Sequence, residues 1–418
     1  MEYYNIDREP RKKQRTGAKP WQVAFLMLLT ALLTAGIIFA LLLSGATRYT
    51  VVDSKSKSST ALLSTLLDDI EKYYYFSDEG PSTEKLADAA AHSIVDAVGD
   101  PYAAYYSEEE YESFRSSISG NYKGIGVLVT MDKEKGLFVE RVYEDTPAER
   151  AGLLAGDYIS EVDGQNVIGM ELTPAADLIS GEDGSTVHLV VLRGEETLNI
   201  DAVRGDVYIR RVYTEQLENG IGYLRIESFT GNAATEFDAA LDGLLESGIT
   251  SLIIDVRGNP GGTLDTVVSI ADRILPECVI TTLEGKLVTP PEVHRSDAEH
   301  CIDLPLIVLT NGESASASEI FASAVQENGA GRILGTNTFG KGIVQTSWEV
   351  LPGQGYIKLT TDVYLTPNGN MIHGIGVAPD IEIAQDPELE NTDIFFIMRD
   401  MRERDLQLNA AIELLNAQ

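Results

Sequence analysis

Apolar and polar positions change texture several times along the chain, and each texture predicts its own kind of element. From Trp21 to Ala46 no charged side chain interrupts a largely apolar run, which as a helix is long enough to cross a hydrocarbon layer of about 30 Å. Residues 47–58, polar and rich in Ser and Lys, read as a tether. Over 59–117 the period is helical: Leu62, Leu63, Leu66, Leu67 and Ile70 form one stripe, and Leu86, Ala89, Ala90, Ile94 and Val95 another, parted by the breaker Gly80-Pro81. Asp100-Pro101 closes the second helix, and Ser107 with Glu110 has the spacing of a capping box for a third.

Residues 118–205 switch to short β runs separated by glycines. Strands are expected from Gly124 through Val129, over 137–142 and over 158–162, with a turn at Asp163-Gly164 and a short helix opened by Pro147 and stopped by Gly152. Across 206–385 β and α alternate. The runs 252–256 and 306–309 are apolar but for Asp255, as doubly covered parallel strands require. Ala239, Leu241, Leu244 and Leu245, then Val267, Val268, Ala271 and Ile274, take helical spacing, so a layered α/β unit is the economical arrangement. In the closing stretch 386–418, Leu408, Ala411, Ile412 and Leu415 form a stripe that suits either packing on the chain's own domain or a homodimer contact. The whole reads as an α+β multidomain chain.

Charge changes the picture at both scales. Lys and Arg number 32 against 65 Asp and Glu, a net charge of −33 that repels phosphate backbones and speaks against nucleic acid as a partner. Locally the sign reverses: Arg8, Arg11, Lys12, Lys13, Arg15 and Lys19 precede the apolar run, so the positive-inside rule predicts residues 1–20 as a cytoplasmic tail, 21–46 as a single-pass membrane anchor and everything after Arg48 as extracytoplasmic. A cleaved signal peptide is the rival, but its apolar core is normally only about 7–15 residues. Two cysteines exclude a disulfide-dense scaffold and a four-thiolate zinc site, and no HExxH pattern occurs, so neither a metal nor another cofactor is expected. Cys278 and Cys301, with 22 residues between them, are compatible with an oxidised pair worth roughly 3 kcal/mol outside the cell, and equally with two free thiols.

The chemistry concentrates after the strand 306–309. Thr310-Asn311-Gly312-Glu313-Ser314-Ala315-Ser316-Ala317-Ser318-Glu319-Ile320 opens a helix, which puts Ser316 at a strand-to-helix turn where backbone donors and the positive helix end favour an oxyanion. The same Ser316 and Glu319 also satisfy a capping box, a purely structural reading. Gly335 to Gly342 nearly matches a phosphate-binding loop, but Gly follows Lys341 where Ser or Thr would hold magnesium, so a nucleotide-dependent enzyme is disfavoured. If 341–345 is extended, Lys341 and Gln345 share a face, and the amide can orient the amine. A lysine acts as a general base once partial desolvation lowers its pKa towards about 7–8.

Two resemblances follow from these residues. The loop Gly124-Ile125-Gly126-Val127 and the run Pro147-Ala148-Glu149-Arg150-Ala151-Gly152-Leu153, with Gly156-Asp157 and Val162-Asp163-Gly164, resemble a PDZ domain, whose loop N–H groups hold a peptide's terminal carboxylate while the peptide adds to a strand edge. The motifs around Asp255–Gly262, Ser314–Ile320 and Thr338–Gln345, with Asp100–Tyr106, Ile221–Ile226 and Tyr364–Gly369, resemble the C-terminal processing peptidases, serine proteases with a Ser-Lys dyad; the likeness runs from about residue 58 to the C-terminus. It implies a PDZ β-barrel-like domain at 118–205 and a ClpP/crotonase-like peptidase core at 206–385. It further implies Ser316 as nucleophile, Lys341 as general base and Gln345 as the amide orienting it. The oxyanion donors would be Ala317 N–H and Gly262 N–H, with Gly261 in reserve. Partners would be proteins or peptides with accessible C-termini. The alternative is a non-catalytic PDZ receptor or scaffold on a degenerate peptidase fold.

Overall fold

A computed structural model describes residues 54–76, 80–297, 299–389 and 392–417. The expected span 21–46, the tail before it and the tether up to residue 53 lie outside the described residues; among the described residues no helix is long and apolar enough to cross a membrane. The chain divides into two compact units, one ending at Ala89 and one beginning at Ala90.

In the first unit, helix Ser54–Tyr73 starts inside the stretch expected to be a tether, because that stretch contains no Gly or Pro to stop it. The expected stripe is there, but Leu62, Leu63, Leu66 and Ile70 are exposed.

The second unit contains two cores. One belongs to an antiparallel sheet of Val127–Asp132, Gly136–Val142, Tyr158–Val162, Gln165–Asn166, Thr186–Arg193 and Glu196–Val203. Helices Pro147–Ala151 and Leu172–Ile179 close this sheet over Leu137, Val139, Ile159, Val187 and Leu189. Pro147 stands at the first helical turn, and Gly152 ends that helix at φ 85°, where only a glycine is unstrained. The strand expected from Gly124 to Val129 is broken in two. Asn121–Gly124 pairs with Gly205–Tyr208, Ile125 and Gly126 form a loop, and Val127 begins the edge strand of the larger sheet.

The other core lies on a six-stranded sheet in the order Val212–Gln216, Ile221–Ile226, Ser251–Asp255, Leu306–Thr310, Arg332–Gly335, Ile381–Glu382; every neighbouring pair after the first is parallel. Helices Ala233–Glu246, Leu264–Asp272 and Ala317–Glu327 contribute to the core on one face. Helix Leu406–Asn416 packs against the other, and Leu408, Ala411 and Leu415 are buried on Ile221, Tyr223, Ile253, Ile307 and Leu309. The tail stripe is therefore used within its own domain and is not free for a dimer contact. Buried Arg257 ties this helix down by reaching Asp255 (2.6 Å) and Asp405 (2.8 Å).

A second antiparallel sheet is built around Tyr356–Leu365, which pairs with Ala104–Tyr106, Cys278–Gly285 and Ile343–Glu349. Part of the expected N-terminal helical region is thus a strand of this second sheet. The capping box forms: Ser107 N–H donates to Glu110 (2.7 Å) and Glu110 N–H to Ser107 Oγ (3.3 Å), opening helix Glu108–Ser119. Cys278 and Cys301 are free, so the oxidised pair is not formed; Cys278 Sγ lies 3.2 Å from Ser296 Oγ, and Cys301 is exposed.

Candidate active site

The buried strand Leu306–Thr310 delivers the chain to a turn whose last residue, Ser316, has φ 56° and ψ −113° before helix Ala317–Glu327 begins. A non-glycine residue in that conformation costs about 1–3 kcal/mol and persists only where its surroundings fix it. Here its neighbours do so. Ser314 Oγ donates to Val256 O (2.8 Å) and Ser318 Oγ to Asn259 O (2.9 Å), so both flanking hydroxyls are turned into the fold. Ser316 instead lines a cavity of about 670 Å³, together with Gly262, Ala317, Lys341, Gln345 and Tyr364.

Glu319 does more than cap a helix. Its buried carboxylate accepts from Ser316 N–H (2.8 Å), Lys341 N–H (2.7 Å), Gly340 N–H (2.7 Å) and Thr338 Oγ1 (2.6 Å). From the opposite side, the Tyr364 hydroxyl sits between the carbonyl oxygens of Ser316 (3.0 Å) and Lys341 (2.5 Å). Burial, reinforced by the Glu319 charge, pushes the Tyr364 phenol far above its ordinary range, so it stays a donor. Ser316 and Lys341, 25 positions apart in the chain, are thus fixed at both main-chain ends by the same two side chains.

The Lys341 amine lies 4.4 Å from the centroid of the Tyr102 ring. Burial pulls its pKa below the ordinary lysine range and the nearby Lys358 charge adds to that, while Asp100 and Glu319 act in the opposite direction. Lys341 itself precedes strand Ile343–Glu349, which carries an irregularity at Val344–Gln345. Lys341 and Gln345 both border the cavity. Gln345 Nε2 is buried with no partner among the described residues, and a buried orphan donor is costly.

The structure separates the two glycines left open by the sequence. Gly261 N–H is taken by its own turn, donating to Asn259 Oδ1 at 2.8 Å. Gly262 N–H has no acceptor among the described residues, and Ala317 N–H is at the first helical position, which has none within the helix. Gly261 is needed for closeness instead: a Cβ there would lie 2.8 Å from Ser316 Cβ and 2.9 Å from Ala317 N. The arrangement offers a hydroxyl, an amine of lowered pKa and two unspent N–H donors on one cavity, the parts needed for acyl transfer.

The predicted peptide-binding loop sits on a separate cavity of about 290 Å³, between edge strand Val127–Asp132 and helix Leu172–Ile179. The loop carbonyls face inward, Ile125 O accepting from Ala148 N–H (2.7 Å) and Gly126 O from Tyr143 N–H (3.1 Å), while the N–H groups of Ile125 and Gly126 have no acceptor among the described residues.

Known proteins share these features. Residues 220–383 match Peptidase family S41 and residues 138–193 match a PDZ domain. A CtpA-like serine protease of Staphylococcus haemolyticus is 31% identical over 382 residues, which span 91% of this chain and 76% of that protein. The chain belongs to peptidase family S41. A carboxy-terminal-processing protease of Bartonella bacilliformis is 36% identical over 316 residues, 73% of this chain and 71% of that one. In fold, a crystal structure of an S41 protease from Bacteroides fragilis superposes with a TM-score of 0.54 at 15% identity, covering 84% of this chain and 97% of that one. As an S41 member the protein is a serine protease of the C-terminal processing type with a PDZ domain.

Glu319 and Tyr364 are the residues that sequence reasoning left without a role at the site. Glu319 was visible only as a capping partner, and Tyr364 only as part of a motif.

Proposed function

We propose that this S41 protease is a membrane-anchored endopeptidase that binds unstructured protein C-termini in its PDZ groove and cleaves peptide bonds with a Ser316–Lys341 dyad. The observation that carries the reading is the strained Ser316 turn, held to the Lys341 loop by Glu319 and Tyr364, beside the unspent N–H groups of Ala317 and Gly262. Neutral Lys341 takes the Ser316 proton, and the alkoxide adds to the scissile carbonyl. The Ala317 and Gly262 N–H groups receive the oxyanion. The protonated amine then hands its proton to the leaving nitrogen, and water, deprotonated by the same amine, releases the acyl group from Ser316. Gln345 keeps the amine on its path. The basic residues 8–19 and the uncharged run 21–46 support a cytoplasmic N-terminus and an extracytoplasmic catalytic domain.

Casein digestion by the full chain and by Ser316→Ala tests the chemistry: wild type degrades casein and the variant does not, whereas equal digestion by both removes Ser316 from the reaction. A reporter fused after residue 60 tests the topology, with activity expected only outside the cytoplasm.

A further inference from the structure

Between the peptide groove and the Ser316 cavity lies a third cavity of about 670 Å³. It shares Leu128 and Tyr143 with the peptide groove, and Ile118, Thr230 and Pro260 with the Ser316 cavity. A polypeptide reaching from one to the other therefore passes along its wall.

That wall gathers three arginines in a chain of net charge −33. Arg141 comes from the PDZ strand Gly136–Val142 and Arg225 from the catalytic strand Ile221–Ile226; each is only 7% exposed. Both turn to one carboxylate oxygen of Glu227, at 2.8 and 3.3 Å. Arg211 joins them and makes no ion pair among the described residues. The Nε atoms of all three arginines are buried without a hydrogen-bond partner among the described residues. Asp393 Oδ1 also lies 3.5 Å from Arg225 Nη2, with its side chain 49% exposed, and the exposed Glu313 lines the chamber as well. Arg141 and Arg225 are thus already paired, with the half-buried Glu227 and the exposed Asp393, whereas the Arg211 guanidinium has no ion-pair partner among the described residues. Guanidinium forks fit a carboxylate, and supplying one relieves the cost of buried, unpaired donors.

We propose that this chamber reads acidic side chains in the substrate segment joining the PDZ-bound C-terminus to the scissile bond. The proposal rests on the proposed function above, because only a chain held in the PDZ groove and cut at Ser316 crosses the chamber. An Asp or Glu there accepts the free donors, an Asn or Gln does so without charge, and a Lys adds a fourth cation. Selectivity follows from the segment between the two known contacts as well as from the tail.

The test uses the full chain and three substrates with the same C-terminus and the same cleavage site, whose intervening segment carries Asp and Glu, the matching Asn and Gln, or Lys. The acidic substrate should exceed the amide one in kcat/KM by about tenfold, the scale separating a charge-assisted from a neutral hydrogen bond. The Lys substrate should be poorest, and the spread should shrink as salt is raised. Arg211→Gln, which breaks no ion pair, should bring the acidic-to-amide ratio within about twofold, whereas Arg150→Gln on the exposed PDZ surface should preserve it. If Arg211→Gln does not fold, the wild-type ratio and its salt dependence decide alone. Equal cleavage of the acidic and amide substrates by wild type, or a full ratio in folded Arg211→Gln, overturns the chamber and leaves the dyad standing. No cleavage of any substrate beyond the Ser316→Ala background brings down the proposed function, and the chamber with it.

Discussion

The catalytic centre and the PDZ groove are held by opposite means. At the centre, a buried carboxylate and a buried phenol spend their hydrogen-bonding capacity on Ser316 and Lys341, and the flanking serines are spent on Val256 and Asn259. In the groove, no charged side chain among the described residues fixes Ile125 and Gly126; their carbonyls are anchored and their N–H groups have no acceptor there. A reaction that tolerates little misplacement needs side chains locked by polar neighbours, whereas a surface that must accept many tails needs only an open strand edge and free backbone donors. Damage at the centre should therefore lower kcat, and damage in the groove should raise KM for tailed substrates.

The largest effect is expected at Glu319. In Glu319→Gln an NH₂ group faces two of the four donors that the carboxylate accepts, so kcat should fall by about a hundredfold with KM little changed, and thermal stability should drop as well. Tyr364→Phe removes one hydroxyl and should cost about tenfold in kcat. Steady-state kinetics with a short untailed peptide checks both; a KM effect without a kcat effect contradicts the comparison.

A smaller effect, with a definite sign, lies in the pH profile. In the proposed mechanism only neutral Lys341 accepts the Ser316 proton, so kcat/KM should rise with pH through the Lys341 pKa, which burial places below the ordinary lysine range. Lys358 lowers that pKa and Asp100 raises it. Lys358→Met should therefore move the rising limb to higher pH, and Asp100→Asn should move it to lower pH. Shifts in the same direction would show that these charges do not act through Lys341.

In the groove, a Cβ on Gly126 would lie 2.4 Å from Thr146 Cβ, at φ 86°. Gly126→Val should raise KM for a tailed substrate by about tenfold while leaving cleavage of an untailed peptide within about twofold. Cys301→Ser should do least: the thiol is exposed and unpaired, so the thermal midpoint should be the same in oxidising and reducing buffer.

The difference between the two regions also decided what the sequence disclosed. The groove's loop, residues 124–127, and the short helix 147–151 whose Ala148 N–H anchors it lie close in the chain, and their glycine and proline signals are readable within one window. The strands Ser251–Asp255 and Leu306–Thr310 announced themselves by the apolar runs 252–254 and 306–309, as buried parallel strands do. The dyad was legible only as two motifs. What joins them was not, because Glu319 reaches Lys341 across 22 positions and Tyr364 reaches Ser316 across 48, separations that no periodicity records. The second sheet was missed for the same reason: Ala104–Tyr106 is three residues long and finds its partner some 250 positions away. The choice of Gly262 over Gly261 needed the Asn259 side chain, whose acceptor decides which N–H is already spent.

The most direct test of the dyad is intact-mass spectrometry of the enzyme during turnover of a slowly hydrolysed peptide ester, followed by peptide mapping. The account predicts one transient acyl adduct, on the peptide containing Ser316, absent in Ser316→Ala and in Lys341→Arg, whose guanidinium cannot give up its proton near neutral pH. An adduct on another residue, or one that forms at the wild-type rate in Lys341→Arg, would contradict it.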